Sequence, residues 1–288
     1  MDNNALGFVE AKGITGVVEA QDRLPKTGNI QFLNLLPIGG GHVITVFKGG
    51  LAELQYALDS NYDPEKKHSS IYMAKVLEGP HPEILDIASD NVPDKRAALQ
   101  GSAMTIIETR GYVSMVIAAD TALKSGDVSV SNWLSIGGGI SAVVLRGDVA
   151  SCRSAMENAT AAVAEEYRYA SVIIENPHEQ IDLKTPVFSS VRLKKGSGNF
   201  IKGTATGLVE TRSFAALIFG LDRGLKYGDT KLSSVHKVGS TYISGVFKGE
   251  VSEIQSSVKA ASEGINMVKS TEGSLILPNS HEDVHRIV

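Results

Sequence analysis

The sequence repeats itself three times, and this repetition constrains the fold more than any other feature of the chain. Each copy opens with a short β-rich run that contains a glutamate, and the three glutamates serve as alignment origins: Glu10, Glu108 and Glu210. A glycine that opens a tight loop stands at one constant distance after every origin, and a basic residue followed by glycine stands at another: Gly39, Gly137 and Gly239, then Lys48, Arg146 and Lys248. No gap is needed in any copy, so the 288 residues consist of one small unit in three copies, here called units 1, 2 and 3.

Charged residues recur at fixed positions as well. An aspartate and then a lysine follow every origin at constant distances, at Asp22, Asp120 and Asp222 and at Lys26, Lys124 and Lys226. A histidine recurs near the end of each copy, with its distance from the origin constant to within one position, at His81, His178 and His281. The loops read Gly39-Gly40-Gly41, Gly137-Gly138-Gly139 and Gly239-Ser240-Thr241. Chance hardly produces so many coincidences in one register.

The pattern within each unit predicts the element order βαββαβ. The first β-rich run precedes a helix whose apolar residues have helical spacing, Ile14, Val17 and Val18 in unit 1, and we expect this face to pack on a sheet. Two extended runs around the glycine loop predict a hairpin, a second helix begins after the basic residue and glycine, and a last strand ends near the histidine. The expected fold class is therefore α+β, with three tandem ferredoxin-like units in the usual, non-permuted order.

The repeat also predicts where the units begin and end. We expect unit 1 at residues 4–90, unit 2 at 102–184 and unit 3 at 204–288. The connecting linkers are then residues 91–101 and 185–203. The end of unit 1 has room for a short helix before Pro93, since proline stops a helix.

Composition argues against several classes of function. A net charge of −4 and a pI near 6.0 give no general attraction for nucleic acid or for an anionic membrane, so we expect neither as a partner. No apolar run is long enough to span a bilayer, and the first residues do not read as a leader, so we expect a cytoplasmic protein. The single cysteine, Cys152, rules out an internal disulfide and a multi-cysteine metal site, and we expect neither a metal nor a cofactor.

The combination of these motifs closely resembles the shell domain of bacterial microcompartments, and the resemblance covers all three units. In that family, flat hexagonal tiles of six domains pack edge to edge into a protein shell around enzymes. The resemblance therefore implies a structural shell protein, located in a microcompartment shell, whose homodimer closes a pseudohexameric tile. The alternative is that these chains are mixed into tiles of other shell proteins. Other shell proteins of the same compartment, and the encapsulated enzymes, are the partners it implies. It does not distinguish a carboxysome from a metabolosome.

The resemblance also gives the glycine loops a role, because loops at these positions line a central pore for small polar metabolites in the family. Glycine permits the backbone angles and close approach that such loops need. The implied pore-lining residues are Gly39, Gly40, Gly41, Gly137, Gly138, Gly139, Gly239, Ser240 and Thr241. The alternative is that these loops are ordinary tight hairpin turns, for which glycine is the usual residue.

The recurrent lysines and histidines resemble residues at the edges of such tiles. The implied edge residues are Lys26, Lys124, Lys226, His81, His178 and His281. The alternative for the lysines is a solvated side chain at a helix C-terminus, where a cation is favoured. The family's arginine before the histidine is absent, since these positions read Glu78-Gly79-Pro80, Glu175-Asn176-Pro177 and Pro278-Asn279-Ser280. The loss of its directional hydrogen bonds argues against homogeneous sheets of this protein alone.

Two other classes of protein remain as alternatives. A ferredoxin-like ligand-binding or regulatory protein would have the same fold, because this architecture hosts many unrelated functions. An enzyme would have to use the repeated glutamates and aspartates as general acids and bases. Because equivalent carboxylates occur in all three units, and because a flat tile lacks a cleft, we expect them to support the fold and expect no catalysis.

Overall fold

A computed structural model describes residues 5–62, 70–95, 98–184, 204–239, 241–280 and 284 of the chain. It contains three units in sequence, each with a four-stranded antiparallel sheet and two long helices. The element order within each unit is βαββαβ, which confirms the α+β, ferredoxin-like prediction. Two predicted site residues, Ser240 and His281, lie outside the described residues.

The helices and strands have equivalent bounds in the three units. Unit 1 contains β1 (Ala5–Lys12), α1 (Thr15–Thr27), β2 (Gln31–Gly39), β3 (His42–Gly49), α2 (Leu51–Asn61), β4 (Ile71–Glu78) and α3 (Pro82–Ala88). Unit 2 contains β5 (Ala103–Arg110), α4 (Tyr112–Ser125), β6 (Val128–Gly137), β7 (Ile140–Gly147), α5 (Val149–Ala162), β8 (Arg168–Ile174) and α6 (Glu179–Lys184). Unit 3 contains β9 (Ala205–Thr211), α7 (Phe214–Tyr227), β10 (Lys231–Val238), β11 (Tyr242–Gly249), α8 (Val251–Val268) and β12 (Thr271–Leu277).

The strand order is the same in every sheet. It is β2-β3-β1-β4 in unit 1, β6-β7-β5-β8 in unit 2 and β10-β11-β9-β12 in unit 3. The first strand of each unit is therefore central, because it pairs with both the third and the fourth strand. The glycine loops connect β2 to β3, β6 to β7 and β10 to β11, as the sequence predicts.

The central strand of the sheet in unit 1 is buried on both faces. Successive side chains of a strand point to opposite faces. On one face of β1, Val9 belongs to a core formed with Leu24 of α1 and Leu54 of α2. On the other face, Phe8 belongs to a core that includes Tyr112 of unit 2. The sequence of β1 is therefore apolar at nearly every position, and the strand is buried along almost its whole length.

Unit 2 repeats this arrangement toward unit 3. Ile107 faces its own helices in a core with Cys152, and Ile106 lies in a core with Phe214 of unit 3. Cys152 is fully buried where the other units have Leu54 and Ile254, so it replaces a small apolar residue, as expected. Burial raises the pKa of its thiol.

The prediction that Ile14, Val17 and Val18 all pack on a sheet is wrong for Ile14 and Val18, although α1 does bury Val17, Ala20 and Leu24. Val17 is buried, but Ile14 and Val18 are 59% and 50% exposed. Their equivalents in units 2 and 3 are fully buried: Tyr112, Val116, Phe214 and Ile218. The physical reason is that these positions of α4 and α7 pack on the preceding unit, whereas no other unit among the described residues covers Ile14 and Val18.

The ends of the units also differ slightly from the expectation. The short helix predicted before Pro93 is α3, which ends at Ala88. The aliphatic runs Val172 to Ile174 and Leu275 to Leu277 predict shorter last strands than those observed. Strands β8 and β12 begin earlier, at Arg168 and Thr271, because pairing with β5 and β9 extends through their polar starts.

Candidate functional site

The junction between units 1 and 2 is built around a buried carboxylate. The Glu10 Oε2 atom accepts hydrogen bonds from the backbone N–H groups of Tyr112, at 2.9 Å, and Val113, at 3.3 Å. These groups lie in the first turn of α4, where N–H groups lack partners within the helix and the helix dipole favours an anion. Glu10 is fully buried and also contacts His42, whose Nδ1 lies 2.9 Å from Oε1.

The junction between units 2 and 3 has the same construction. Glu108 accepts a hydrogen bond from the backbone N–H of Phe214 at 2.7 Å, in the first turn of α7, and another from the Ser213 hydroxyl. Burial raises the pKa of Glu108 to about 7, and these hydrogen bonds act in the opposite direction. The repeated glutamates, considered above as catalytic candidates, thus join units 1 and 2 to the unit that follows.

A second contact at each junction involves the predicted edge residues. The backbone N–H of His81 donates to Asp120 Oδ1 of unit 2 at 2.7 Å, and His178 N–H donates to Asp222 Oδ1 of unit 3 at 2.7 Å. The lysine one turn later binds the other oxygen of the same aspartate, at 2.7 Å for both Lys124 and Lys226. The structure therefore brings the histidine of one unit next to the lysine of the following unit.

In unit 1, no described residue of another unit contacts the equivalent aspartate. Lys26 pairs with Asp22 at 2.5 Å, and both side chains are largely exposed, at 69% and 64%. The side chains of Asp120 and Asp222 are only 6% and 5% exposed. The contrast follows from the histidine segments that cover the later two aspartates.

The glycine loops of units 1 and 2 contact each other through their backbones. A Cβ atom on Gly40 would lie 2.7 Å from the Gly138 Cα, and one on Gly39 would lie 3.1 Å from the Gly137 Cα. The φ angles of Gly40 and Gly138 are +64° and +63°, in the left-handed region that favours glycine. Only glycine fits this approach, so the two loops need it for more than a hairpin turn.

In unit 3, Gly239 is less closely packed than Gly40. Its φ is +61°, and no atom of the described residues beyond its chain neighbours lies within 4 Å of a hypothetical Cβ. Thr241 is half-buried. Next to the loop of unit 3, Lys237 Nζ donates to the Ser135 carbonyl of unit 2 at 2.8 Å, and burial lowers the pKa of Lys237. The sequence analysis missed Lys237 because units 1 and 2 have Pro37 and Ser135 at this position, so no repeat marked it.

The surface of unit 3 that corresponds to these junctions is open. Glu210 is half-buried and accepts a hydrogen bond from Ser244 of its own unit, at 2.6 Å. A depression of about 210 Å³ surrounds it, lined by Leu208, Ser244 and Leu275 among others. Leu208 is only half-buried, whereas its equivalents Phe8 and Ile106 are at most 1% exposed. The free sheet face of unit 3, defined here by Leu208, Glu210, Ser244 and Leu275, thus has no covering helix among the described residues.

The helix α1 presents the opposite half of a junction. Ile14, its N-cap residue, makes no capping hydrogen bond with its side chain. Ile14 and Val18 form an exposed apolar pair, which we call the free face of α1. In the described part of the chain, units 1 and 3 therefore each expose a surface equivalent to those that the units bury against each other.

Two further observations concern metal binding and membrane spanning. Among the described residues, no cluster of histidine, cysteine, aspartate or glutamate side chains has an arrangement that could hold a metal ion. Across the same part of the chain, no helix combines the length and the apolar character needed to cross a bilayer.

Comparison with known proteins gives one family. The model of the BMC domain matches three segments of the chain, residues 5–68, 103–177 and 205–280. Each match falls within one unit.

Several curated proteins are similar to the chain. The carboxysome assembly protein CcmO of Synechocystis sp. is 27% identical over 188 residues, which are 64% of this chain and 63% of that protein. The microcompartment shell protein PduT of Citrobacter freundii is 29% identical, over 64% of this chain and 96% of its own length. The shell protein EutM of Salmonella typhimurium is 35% identical over 86 residues, 30% of this chain and 90% of EutM.

Among solved structures, a microcompartment protein from Desulfitobacterium hafniense has a similar fold. It superimposes with a TM-score of 0.53 and 30% sequence identity. The superposition covers 62% of this chain and 98% of that protein.

Proposed function

The chain belongs to the BMC domain family, and from this membership we propose that it is a structural shell protein of a bacterial microcompartment, of which two copies close one ring of six units. The similarity to the shell proteins PduT and EutM, and to the carboxysome assembly protein CcmO, supports the general assignment. They also favour a structural role over a catalytic one. Other shell proteins of the same compartment, and the enzymes it encloses, are the proposed partners.

The observation that carries the ring is the repetition of one junction. Units 1 and 2 meet through Glu10 and the start of α4, and units 2 and 3 meet through Glu108 and the start of α7. Equivalent contacts imply equivalent rotations from one unit to the next. A third step of the same kind brings the free face of α1, from a second copy, onto the free sheet face of unit 3. Because each copy supplies three units, two copies close six positions around a twofold axis.

Charge and hydrogen bonding support this closure. By equivalence with the internal junctions, Glu210 would accept hydrogen bonds from the backbone N–H groups of Ile14 and Thr15 in the second copy. A carboxylate at a helix N-terminus is stabilised by the helix dipole. The apolar parts of the two surfaces also match, since Leu208 and Leu275 would cover Ile14 and Val18.

The same closure would bring the glycine loops of both copies around one axis. The direct contact between Gly40 and Gly138 supports this, because the loops of neighbouring units already converge within one chain. We assign the predicted pore-lining residues to a central opening for small polar metabolites. Gly40, Gly138 and Ser240 would occur twice around it, and the hydroxyl of Ser240 would be its polar side chain.

The edge of the tile is the proposed role of the recurrent lysines and histidines. Lys124 and Lys226 keep side-chain exposures of 44% and 38% although each pairs with a buried aspartate. Each ammonium group is therefore fixed by its aspartate and still reaches the surface, next to the histidine of the preceding unit. Such a group can contact a neighbouring tile made of this protein or of another shell protein.

The test is the mass of the purified protein and its dependence on the free surfaces. We expect sedimentation of the wild type at twice 30.6 kDa, and particles with a central opening in negative-stain images. The variant Ile14→Asp places a charge opposite Glu210 and should sediment as a folded monomer. The control Tyr56→Asp changes a side chain that is 66% exposed on α2, outside the junction, and should remain a dimer. A wild type that stays monomeric at high concentration would refute the ring.

A further inference from the structure

The last strand of each unit has a β-bulge at the same place in the sheet. Its pairing with the first strand skips one residue, opposite the step from the repeated glutamate to the residue after it. The skipped residues, called bulge residues here, are Tyr72, Tyr169 and Glu272. A bulge redirects the side chain of its extra residue. Units 1 and 2 thus have a tyrosine where unit 3 has a carboxylate.

A basic residue of the same unit lies beside each bulge residue. These basic residues follow the repeated glutamate by two positions and are Lys12, Arg110 and Arg212. The Lys12 ammonium lies 5.9 Å from the centre of the Tyr72 ring, and the Arg110 guanidinium lies 5.0 Å from that of Tyr169. In unit 3, Arg212 Nε lies 3.6 Å from Glu272 Oε1. Rings and carboxylates both attract cations, so each bulge residue binds one cation of its own unit.

At both internal junctions, the basic residue of the next unit lies beside the same tyrosine. A Cβ atom on Gly111, directly after Arg110, would lie 3.0 Å from Tyr72 Cε1. Burial raises the pKa of Tyr72, and the positive charge of Arg110 acts in the opposite direction. The Tyr169 hydroxyl donates to the Arg212 carbonyl at 3.5 Å. Each tyrosine therefore lies between two basic residues, one of its own unit and one of the unit that follows.

The two surfaces left open in the chain carry opposite charges at this place. Glu272 is only partly covered by its own unit, since its side chain is 28% exposed. Arg212 and the Ser270 hydroxyl contact its Oε1 atom, at 3.6 and 3.2 Å. Lys12, the basic residue of unit 1, is exposed. In a third junction of the same kind, Lys12 would take the place beside the bulge residue of unit 3.

We propose that Glu272 of one copy and Lys12 of a second copy form an ion pair across the junction between copies, so that charge selects unit 1 of another copy as the neighbour of unit 3. This inference rests on the ring proposed above and names the contact by which its two copies recognise each other. Glu272 would then lie between Arg212 of its own unit and Lys12 of the next, as each internal tyrosine lies between two basic residues. Because the ring has a twofold axis, the pair would occur twice in each dimer.

The change from tyrosine to glutamate suits a junction that forms between separate molecules. The internal junctions form within one chain, where the connection between units already determines the neighbour, and they use neutral rings. The junction between copies has to find its neighbour by diffusion, and complementary charges favour the correct encounter and oppose a wrong one. An ion pair at this partly exposed place is screened by salt, whereas the apolar contacts of the junction are not.

An exchange of charges between two variants tests the pair. The homodimer of Lys12→Glu has two acidic side chains at each junction between copies, and the homodimer of Glu272→Lys has two basic ones. A heterodimer of the two variants has opposite charges at both junctions. After co-expression of the two variants, one of them with an affinity tag, we expect the heterodimer to make up about nine-tenths of all dimers in native mass spectrometry. Random pairing gives only half.

The matched control makes the same two charge changes away from the junctions. Lys259→Glu and Glu263→Lys alter exposed positions of α8 and should pair at random. Random pairing of the Lys12→Glu and Glu272→Lys variants would overturn the ion pair and leave the ring intact, and so would an equal preference in the control. Sedimentation of the wild type as a monomer would overturn both the ion pair and the ring.

The variant Glu272→Tyr gives an independent measurement. It restores the residue type of units 1 and 2 at a position that already accommodates tyrosine there, so the fold should be kept. We expect the dimer dissociation constant of the wild type to rise about threefold or more between low salt and about 0.5 M salt, and that of Glu272→Tyr to change much less. Sedimentation equilibrium measures both constants. An equal salt dependence in the two proteins would contradict the ion pair.

Discussion

The glutamate at the same position of each unit has different hydrogen-bond partners depending on what covers it. Glu10 accepts two backbone N–H groups and has His42 as a neighbour, and Glu108 accepts a backbone N–H and a serine hydroxyl. Glu210 has the Ser244 hydroxyl of its own unit. Burying a carboxylate is costly unless hydrogen bonds replace its water. The first two glutamates meet this condition through the next helix, so they tie correct folding of one unit to docking of the next.

Glu108 makes the stability of the chain depend on pH. Burial raises its pKa from 4.5 to about 7, so its contribution is fully present below pH 4.5 and is lost as the pH rises through 7. The difference amounts to roughly 3 kcal/mol at most. We expect Glu108→Gln to flatten this dependence in urea unfolding between pH 5 and 8. The exposed control Glu157→Gln should leave the wild-type slope in place, and an unchanged slope in Glu108→Gln would contradict the assignment.

Substitutions at Gly40 and Gly41 distinguish the cost of backbone strain from the cost of moving two closely approaching loops apart. Both have positive φ angles, but only Gly40 has the Gly138 backbone where a Cβ would lie. Gly41→Ala should cost about 1 kcal/mol through strain alone. Gly40→Ala should cost about 2 kcal/mol more than Gly41→Ala, because two backbones must move apart. Urea unfolding of the two variants measures the difference, and equal costs would mean that the loops do not touch.

Sequence reasoning predicted these residues where the repeat conserved their type. The glutamates and glycines recur in register, and their equivalence indicated structural support before any contact was known. Glu83 accepts the Val130 backbone N–H, and Gln180 accepts the Leu232 backbone N–H at the equivalent place. These two residues differ in type, and Lys237 has no counterpart, so the repeat did not identify any of the three. The hydrogen bonds of all three cross from one unit to another, which no local pattern contains.

Three helices with one apolar pattern have two different environments. The residues at equivalent positions of α4 and α7 are fully buried, and those of α1 are half exposed. An amphipathic pattern predicts that a helix has a partner, but it does not say whether that partner is its own sheet or the next unit. The central strands were predicted well because strands covered on both faces are apolar at nearly every position, whereas the polar starts of the edge strands β8 and β12 were missed.

The contrast between helices predicts that one kind of substitution destabilises the chain in α4 and weakens the dimer in α1. Val116→Asp places an unpaired charge in the junction between units 1 and 2 and should destabilise the chain by roughly 3 kcal/mol or more. Val18→Asp, at the equivalent and exposed position of α1, should leave the melting of the monomer unchanged and weaken the dimer. Circular dichroism melts and sedimentation of both variants measure the two effects. A large loss of monomer stability in Val18→Asp would show that α1 already has its partner within the chain.

Two kinds of junction join units of the same chain, and the third, proposed kind joins units of two different copies. The internal junctions form at a high effective concentration, whereas the proposed junction between copies depends on protein concentration. The free sheet face is also more polar than its internal equivalents. His236 and Ser244 replace Leu36 and Ile44 of unit 1, and Leu134 and Ala142 of unit 2. The two junctions between copies should therefore open before any internal one.

His236 supplies the most direct test of this weak junction. Its Nδ1 atom is buried without a hydrogen-bond partner, its Nε2 contacts Ser234, and burial lowers its pKa below 6.5. A histidine whose pKa is lowered loses stabilising effect as the pH falls, because protonation puts a charge in the interface. We expect His236→Leu, the residue of units 1 and 2, to lower the dimer dissociation constant roughly tenfold at pH 8 and by more at pH 6. Lys259→Leu, at an exposed position of α8, should change neither value. Sedimentation equilibrium at the two pH values gives the constants, and a dimer that weakens with His236→Leu would place this histidine in a favourable contact instead.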